Sequence, residues 1–359
     1  MTLSPVLLDV NTPQRFYRGG RKILDFRGLP VGRDFDDRRP EDWLGSTTHL
    51  FAEGGDGLTF LPEGVTLAAE LDQHPEAWLG ARHVARHGAE PGLLVKLLDA
   101  AERLPVHVHP DRSFAHAHLH SPHGKTEAWL VLHADPGAMV WLGFADEVSP
   151  ERLTAMVDAQ DEQLLESLNG FPVERGDTVL VPAGQPHAIG AGVFVVELQE
   201  PTDFSVMLEH DRFGLDPNQS WLGLDRSLAL QSVTRAALDA DGVAGLRRRW
   251  DSPAAPVTSA LPTQADPFFR ADVLDGHAGP ARNEAGFSVV VVVDGEGRLV
   301  TDNGHDIRVH RGQVLLTPYA CGAITLEGPA TAIRCRPGLD TPQTPGAAAP
   351  VSTIRQMEE

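Results

Sequence analysis

The 359-residue chain predicts a mainly β protein made of two β-barrel domains with helical insertions. Three observations predict this class. Apolar stretches such as 126–132 (TEAWLVL) are broken by Gly, Pro and Asp, the pattern of strands joined by turns. The segment 105–109 (PVHVH) alternates with a period of two, which puts His107 and His109 on one face of a strand. A G-x5-P spacing occurs at 176–182 and again at 312–318, so the chain repeats one unit.

Length and a 42% hydrophobic content supply sizeable cores and imply two or three domains. The division expected is an N-terminal barrel over 1–215, a helical segment and linker over 216–260, a C-terminal barrel over 261–340 and a tail over 341–359. The N-terminus lacks a cationic leader and no apolar run approaches about eighteen residues, so neither secretion nor membrane spanning is expected and the chain is read as cytoplasmic. Cys321 and Cys335 are expected to be buried thiols. A formal charge of −20 argues against nucleic acid and anionic membrane as partners and leaves a small molecule. Any anionic ligand therefore needs local cations. Lysine is confined to Lys22, Lys96 and Lys125, against 27 arginines, the 30 basic residues less three.

Taken in order, 3–60 reads as short strands and 66–79 as a helix interrupted at Pro75. His116, His118, His120 and His123, between the two-histidine strand and Glu127, read as solvated loop residues. A helical insertion is expected at 149–168, with Pro150 near its start. Residues 219–250 are read as a second helical region, because Leu222, Leu228, Leu230, Val233 and Leu238 roughly follow one face. Arg247, Arg248 and Arg249 then form its C-terminal end, where the helix dipole favours cations. A Pro/Ala/Ser linker follows at 252–264, and 287–300 reads as two strands about a Gly-rich turn. Trp43, Trp129 and Trp141 are core residues.

The chemistry concentrates on four side chains. His107 and His109 share a strand face, and Glu127 brings a charge into an apolar strand, which needs a cation to meet it. His187 ends 176–187 (GDTVLVPAGQPH), where a strand, a Pro-Gly turn and a returning strand would bring it back to the others. Three imidazoles and a carboxylate suit a divalent metal, zinc first. Asp111 and Glu197 are candidates to orient these ligands. In the second copy of the repeat, Ala323 stands where the first has His187, so that barrel is read as lacking a metal.

The segment 176–187 fits the second cupin motif, G-x5-P-x-G-x2-H. Together with LLVKLLDA (93–100), HVHPD (107–111) and GKTEAWLVL (124–132), it resembles the type I phosphomannose isomerases of the cupin superfamily. Residues 15–20 are similar to that family's R-x-W-G-G opening, and 41–46 to its G-E-x-W-x-x-S. The resemblance implies two cupin (jelly-roll) barrels, one bound metal, and interconversion of mannose 6-phosphate and fructose 6-phosphate through an enediol. It implies Lys125 as a proton-transfer or oxyanion group and Lys96 as a substrate contact. Two departures stand out. His107 replaces the family's usual glutamine, and an arginine expected near Val206 or Met207 is missing, with Arg212 the candidate to replace it. An isomerase or epimerase for another sugar, or a silent sugar-binding or metal-binding cupin, are the alternatives.

Overall fold

The computed structural model describes residues 3–51, 57–251 and 255–339; the expected tail and the first residues of the expected linker lie outside them. The fold is mainly β, as the sequence predicts, and among the described residues the strands form three sheets. The first has six strands in the order Arg247–Arg249, Asp177–Val181, Glu127–Ala134, Val193–Gln199, Leu94–Ala100 and Glu41–Leu44, all antiparallel. The second has five, in the order Val206–Met207, His107–Val108, His187–Ile189, Met139–Phe144 and Leu168–Pro172.

Val193–Gln199 (VFVVELQ) and Leu94–Ala100 (LVKLLDA) are buried along their whole length, which suits their branched apolar side chains. Lys96 and Glu197 interrupt this apolar composition and are Cα partners across the two strands. A period of two turns Lys96 and Leu98 into a cavity between the sheets, which Glu127 and Glu197 also line.

The third sheet is built on Ser288–Thr301. The two strands expected over 287–300 are one strand of 14 residues, whose register shifts between Val292 and Asp294. Gly295, at φ +69°, lies just past this bend, where a Cβ would fall 1.9 Å from the Pro329 carbonyl oxygen. The bulge lets one strand serve two faces, pairing with Val314–Thr317 before the bend and with Asp306–His310 after it.

Val6 and Leu7, at the start of the chain, pair with Leu316 and Leu315 of this third sheet. The largest apolar core accordingly runs through both halves of the chain, holding Phe26, Leu44 and Trp78 together with Phe287, Val289 and Leu316.

The insertion helix Pro150–Ala159 begins where expected: the Ser149 hydroxyl accepts from the Arg152 N–H at 3.2 Å, and Leu153, Met156 and Val157 are buried. Thr66 likewise caps Leu67–Gln73, and Pro75 restarts the helix over Pro75–Leu79. The region 219–250 differs from expectation. It holds only the short helices Arg226–Ala229 and Ala240–Gly245 and a 3₁₀ turn, and Arg247–Arg249 is an edge strand rather than a helix end. Its apolar residues pack one by one from turns, Leu222 from a left-handed φ of 57°, so their spacing was not that of one helix face. Among the described residues no helix is long and apolar enough to cross a membrane.

Candidate metal centre

His107 and His187 are Cα partners in neighbouring strands, and His109 follows two residues after His107. Their ring centroids lie 4.2 Å (His107 to His187), 4.8 Å (His109 to His187) and 4.9 Å (His107 to His109) apart. Among the described residues these three form the one histidine, cysteine or carboxylate group gathered tightly enough to hold a metal ion, each ligand atom within 4.8 Å of the others. Glu127 approaches from the six-stranded sheet opposite, its Oε2 3.0 Å from His109 Nε2 and its Oε1 3.3 Å from His187 Nε2.

Each imidazole is oriented by a backbone carbonyl at its Nδ1: Pro105 for His107 at 2.9 Å, Phe204 for His109 at 2.7 Å, and Gln185 for His187 at 2.9 Å. A neutral ring that donates from Nδ1 presents a lone pair at Nε2. Burial, with the Lys125 charge second, pulls His109 down to about 3, so it is neutral at pH 7. Burial, then the neighbouring His187 and His109, likewise hold His107 well below the usual value.

His109 Nε2 and Glu127 Oε2 thus face each other as two acceptors. Both atoms are buried without a hydrogen-bond partner, as is His187 Nε2. An unmet buried acceptor costs about 1–3 kcal/mol, so three converging on one point are a liability for a metal-free site. A divalent cation fits this donor set, since it satisfies all three at once. Burial alone would raise Glu127's carboxyl, but its neighbours, with Lys125 the permanent cation among them, hold it well below the usual carboxylate range. Its Oε1 also accepts from Trp129 Nε1 at 3.0 Å, which fixes the carboxylate plane.

Lys125 Nζ stands 3.5 Å from Glu127 Oε2, on the same side of the cavity. Lys96 is buried, with Nζ 3.4 Å from Glu41 Oε2 and 3.3 Å from Glu197 Oε1, over the Trp43 ring at 4.9 Å. Burial would lower its pKa, but Glu41 and Glu197 outweigh that and hold it above the ordinary lysine value. Lys96 is therefore a fixed cation and donor.

Glu41 was not singled out by sequence. Its Oε1 accepts from Tyr17 at 2.6 Å and lies 3.2 Å from Arg15 Nε, while Oε2 accepts from Trp43 Nε1 at 2.6 Å. Burial raises the Glu197 carboxyl, with Lys96 only partly offsetting it, and its Oε1 has no hydrogen-bond partner. Asp111 is placed elsewhere: it caps the helix Arg112–His118, accepting from the Phe114 N–H at 2.7 Å. His116, His118 and His120 are exposed, whereas His123 is half-buried and pairs with Glu90 at 2.9 Å.

Arg212 is exposed on the 3₁₀ turn Asp211–Phe213 and does not line the cavity. The arginine that does is Arg15, which shares the cavity wall with Met207. The sequence signal for Arg15 and Glu41 lay in the short segments 15–20 and 41–46. Their convergence depends on long-range pairing.

No family model matches the chain. It is 28% identical over 342 residues to the mannose-6-phosphate isomerase ManA of Bacillus subtilis, covering 93% of this chain and 99% of that protein. It is 29% identical over 238 residues to the mannose-6-phosphate isomerase of Streptococcus mutans, covering 65% and 69%. Among solved structures, the mannose 6-phosphate isomerase of B. subtilis matches with a TM-score of 0.71 at 23% identity, over 93% of this chain and 100% of that one. A mannose 6-phosphate isomerase bound with zinc and yttrium matches at 0.70 and 15% identity, over 94% and 100%. In sequence the chain is thus similar to mannose-6-phosphate isomerases along most of its length, and it shares the fold of the solved mannose 6-phosphate isomerases.

Proposed function

We propose that the chain is a metal-dependent aldose–ketose isomerase that interconverts mannose 6-phosphate and fructose 6-phosphate. The observation that carries the reading is the set of unmet acceptors on His109, His187 and Glu127, with Lys96 and Lys125 lining the same cavity. His107, His109, His187 and Glu127 are the residues proposed to hold the ion, and imidazole nitrogen with carboxylate oxygen makes zinc the first choice. A bound divalent ion supplies Lewis-acid polarisation of the substrate's carbonyl and hydroxyl oxygens.

The chain's own residues do the rest. Isomerisation moves a proton between adjacent carbons through an enediol, so it needs a group that exchanges protons and donors for the developing oxyanion. Lys125, beside Glu127, is proposed for the proton transfer or the oxyanion. Lys96, held charged between Glu41 and Glu197, is proposed to donate to a sugar oxygen. The two free, buried cysteines support a reducing, cytoplasmic setting.

One observation favours a second reading, an isomerase or epimerase for another sugar: Met207 lines the cavity where an arginine was expected. The test is turnover of mannose 6-phosphate, mannose and fructose 6-phosphate by metal-analysed protein before and after chelation. Preferred turnover of the phosphorylated pair, lost on chelation and regained with metal, supports the first reading. Turnover of another sugar alone supports the second.

A further inference from the structure

The cavity at the candidate metal centre is narrow, about 40 Å³. That is room for about three waters, far too little for a hexose phosphate. Whatever carbons react there, the rest of the sugar has to extend outward. A second cavity of about 400 Å³ adjoins the first, and the two share Arg15, Phe16, Ser205 and Met207 in their walls. Arg15 is the one cation among the described residues lining the outer cavity. The remaining polar groups there are hydroxyls, amides and the carboxylates Asp203 and Asp216.

Arg15 is built in. Nη1 and Nη2 each donate to Asp203 at 3.1 Å, Nε lies 3.2 Å from Glu41, and Nε is buried without a hydrogen-bond partner. The end-on fork to Asp203 engages two of the five guanidinium N–H groups. The outward N–H of Nη1 and of Nη2 are not engaged in any hydrogen bond among the described residues. A fixed guanidinium is the side chain suited to holding a phosphate by paired hydrogen bonds.

We infer that Arg15 selects the phosphorylated sugar: it binds the phosphate at the throat between the two cavities while the reacting carbons lie at the metal centre. The inference rests on the isomerase reading for the identity of the sugar. Asp203 and Glu41 hold the guanidinium in place, and Ser205 offers a hydroxyl at the same wall. Arg15 thus serves recognition, and the chemistry stays with the inner cavity.

The experiment is calorimetric binding of fructose 6-phosphate, fructose and inorganic phosphate to the metal-loaded protein, wild type, Arg15→Gln and Arg15→Lys, with mannose 6-phosphate turnover alongside. Wild type is expected to bind fructose 6-phosphate roughly tenfold to a hundredfold tighter than fructose, the range of a charged hydrogen bond. Arg15→Gln is expected to lose that preference with affinity for fructose unchanged, and Arg15→Lys, which keeps the charge without the fork, to fall between. In turnover the loss should appear in KM for mannose 6-phosphate and leave kcat nearly unchanged. Arg15→Lys serves alone if Arg15→Gln fails to fold.

Absence of any preference in wild type, or its full retention in a folded variant, overturns the inference. A fall in kcat at constant KM also overturns it, because it assigns Arg15 to the chemistry. Wild type that prefers fructose 6-phosphate through Arg15 but turns over neither sugar phosphate leaves the inference standing and removes the isomerase reading. Turnover that is indifferent to Arg15 does the reverse.

Discussion

His109 concentrates the electrostatics of the candidate centre. Its proton is fixed on Nδ1 by the Phe204 carbonyl, and its lone pair meets a carboxylate oxygen that has no donor of its own. Removing a ligand from such a set removes the reason for the others to converge. His109→Ala or His187→Ala is expected to lose most bound metal by elemental analysis, and full retention in both would refute the ligand set. The metal-free protein should also be acid-sensitive. A histidine held at about 3 in the fold and near 6.5 when unfolded leaves the unfolded chain with more protons between those values. Stability therefore rises with pH across that window, by up to about 1.4 kcal/mol per pH unit for each such group. The denaturant midpoint of metal-free protein should fall from pH 7 to pH 5, and a constant midpoint would contradict the burial argument. At this scale the clustering was legible, because His107, His109, Glu127 and His187, which the structure brings together, sit in short motifs with fixed spacing. Arg15 and Glu41 were visible only as members of the segments 15–20 and 41–46, and their meeting with Tyr17 and Asp203 was not, because it depends on pairing across distant segments.

At the scale of elements, turn chemistry and caps were readable and the region between the barrels was not. Thr66, Pro75, Ser149 and Pro150 act locally, so the helices begin where those residues stand. Arg247–Arg249 pairs with Asp177–Val181 because Arg249 meets Glu174, Asp177 and Asp251 there, partners 2 to 75 residues away along the chain. No local pattern carries that. The segment 15–20 shows what a conformational requirement adds. Gly20 caps the helix Arg21–Phe26 at φ 92°, and a Cβ there would fall 2.3 Å from the Arg39 carbonyl oxygen. Gly20→Ala is expected to cost about 2 kcal/mol or more, read as a lowered denaturant midpoint. Arg249→Ala, on an exposed pair network, should cost less than about 1 kcal/mol. The reverse ranking would mean that the edge strand, rather than the glycine turn, anchors this side of the fold.

For the whole molecule, the repeated G-x5-P spacing made a second barrel legible, but the way the halves join was not. The N-terminal strand Val6–Leu7 completes the C-terminal sheet, and one apolar core spans both. A fragment ending at residue 260 would leave Leu8 without Val314, to which it hydrogen-bonds, and Trp78 without Phe287, against which its ring packs. It is expected to aggregate or unfold, whereas the full chain should unfold in one cooperative transition; a soluble, folded fragment would show the N-terminal barrel to be autonomous. The net charge of −20 sets the other condition at this scale. On the proposed reading, an anionic sugar meets a repulsive surface and is drawn in by Arg15, Lys96, Lys125 and a bound metal, so its association should depend on ionic strength.

The most direct measurement of the central claim is proton NMR of mannose 6-phosphate in deuterated water with metal-loaded protein. Proton transfer through an enediol is predicted to replace the C2 proton of mannose 6-phosphate and one C1 proton of fructose 6-phosphate with deuterium as the two interconvert, and Lys125→Ala should abolish it. Interconversion without any exchange in wild type would point to direct transfer and contradict a solvent-exchanging lysine. Neither interconversion nor exchange, with stoichiometric metal bound, would show that this cavity does not isomerise the sugar phosphate.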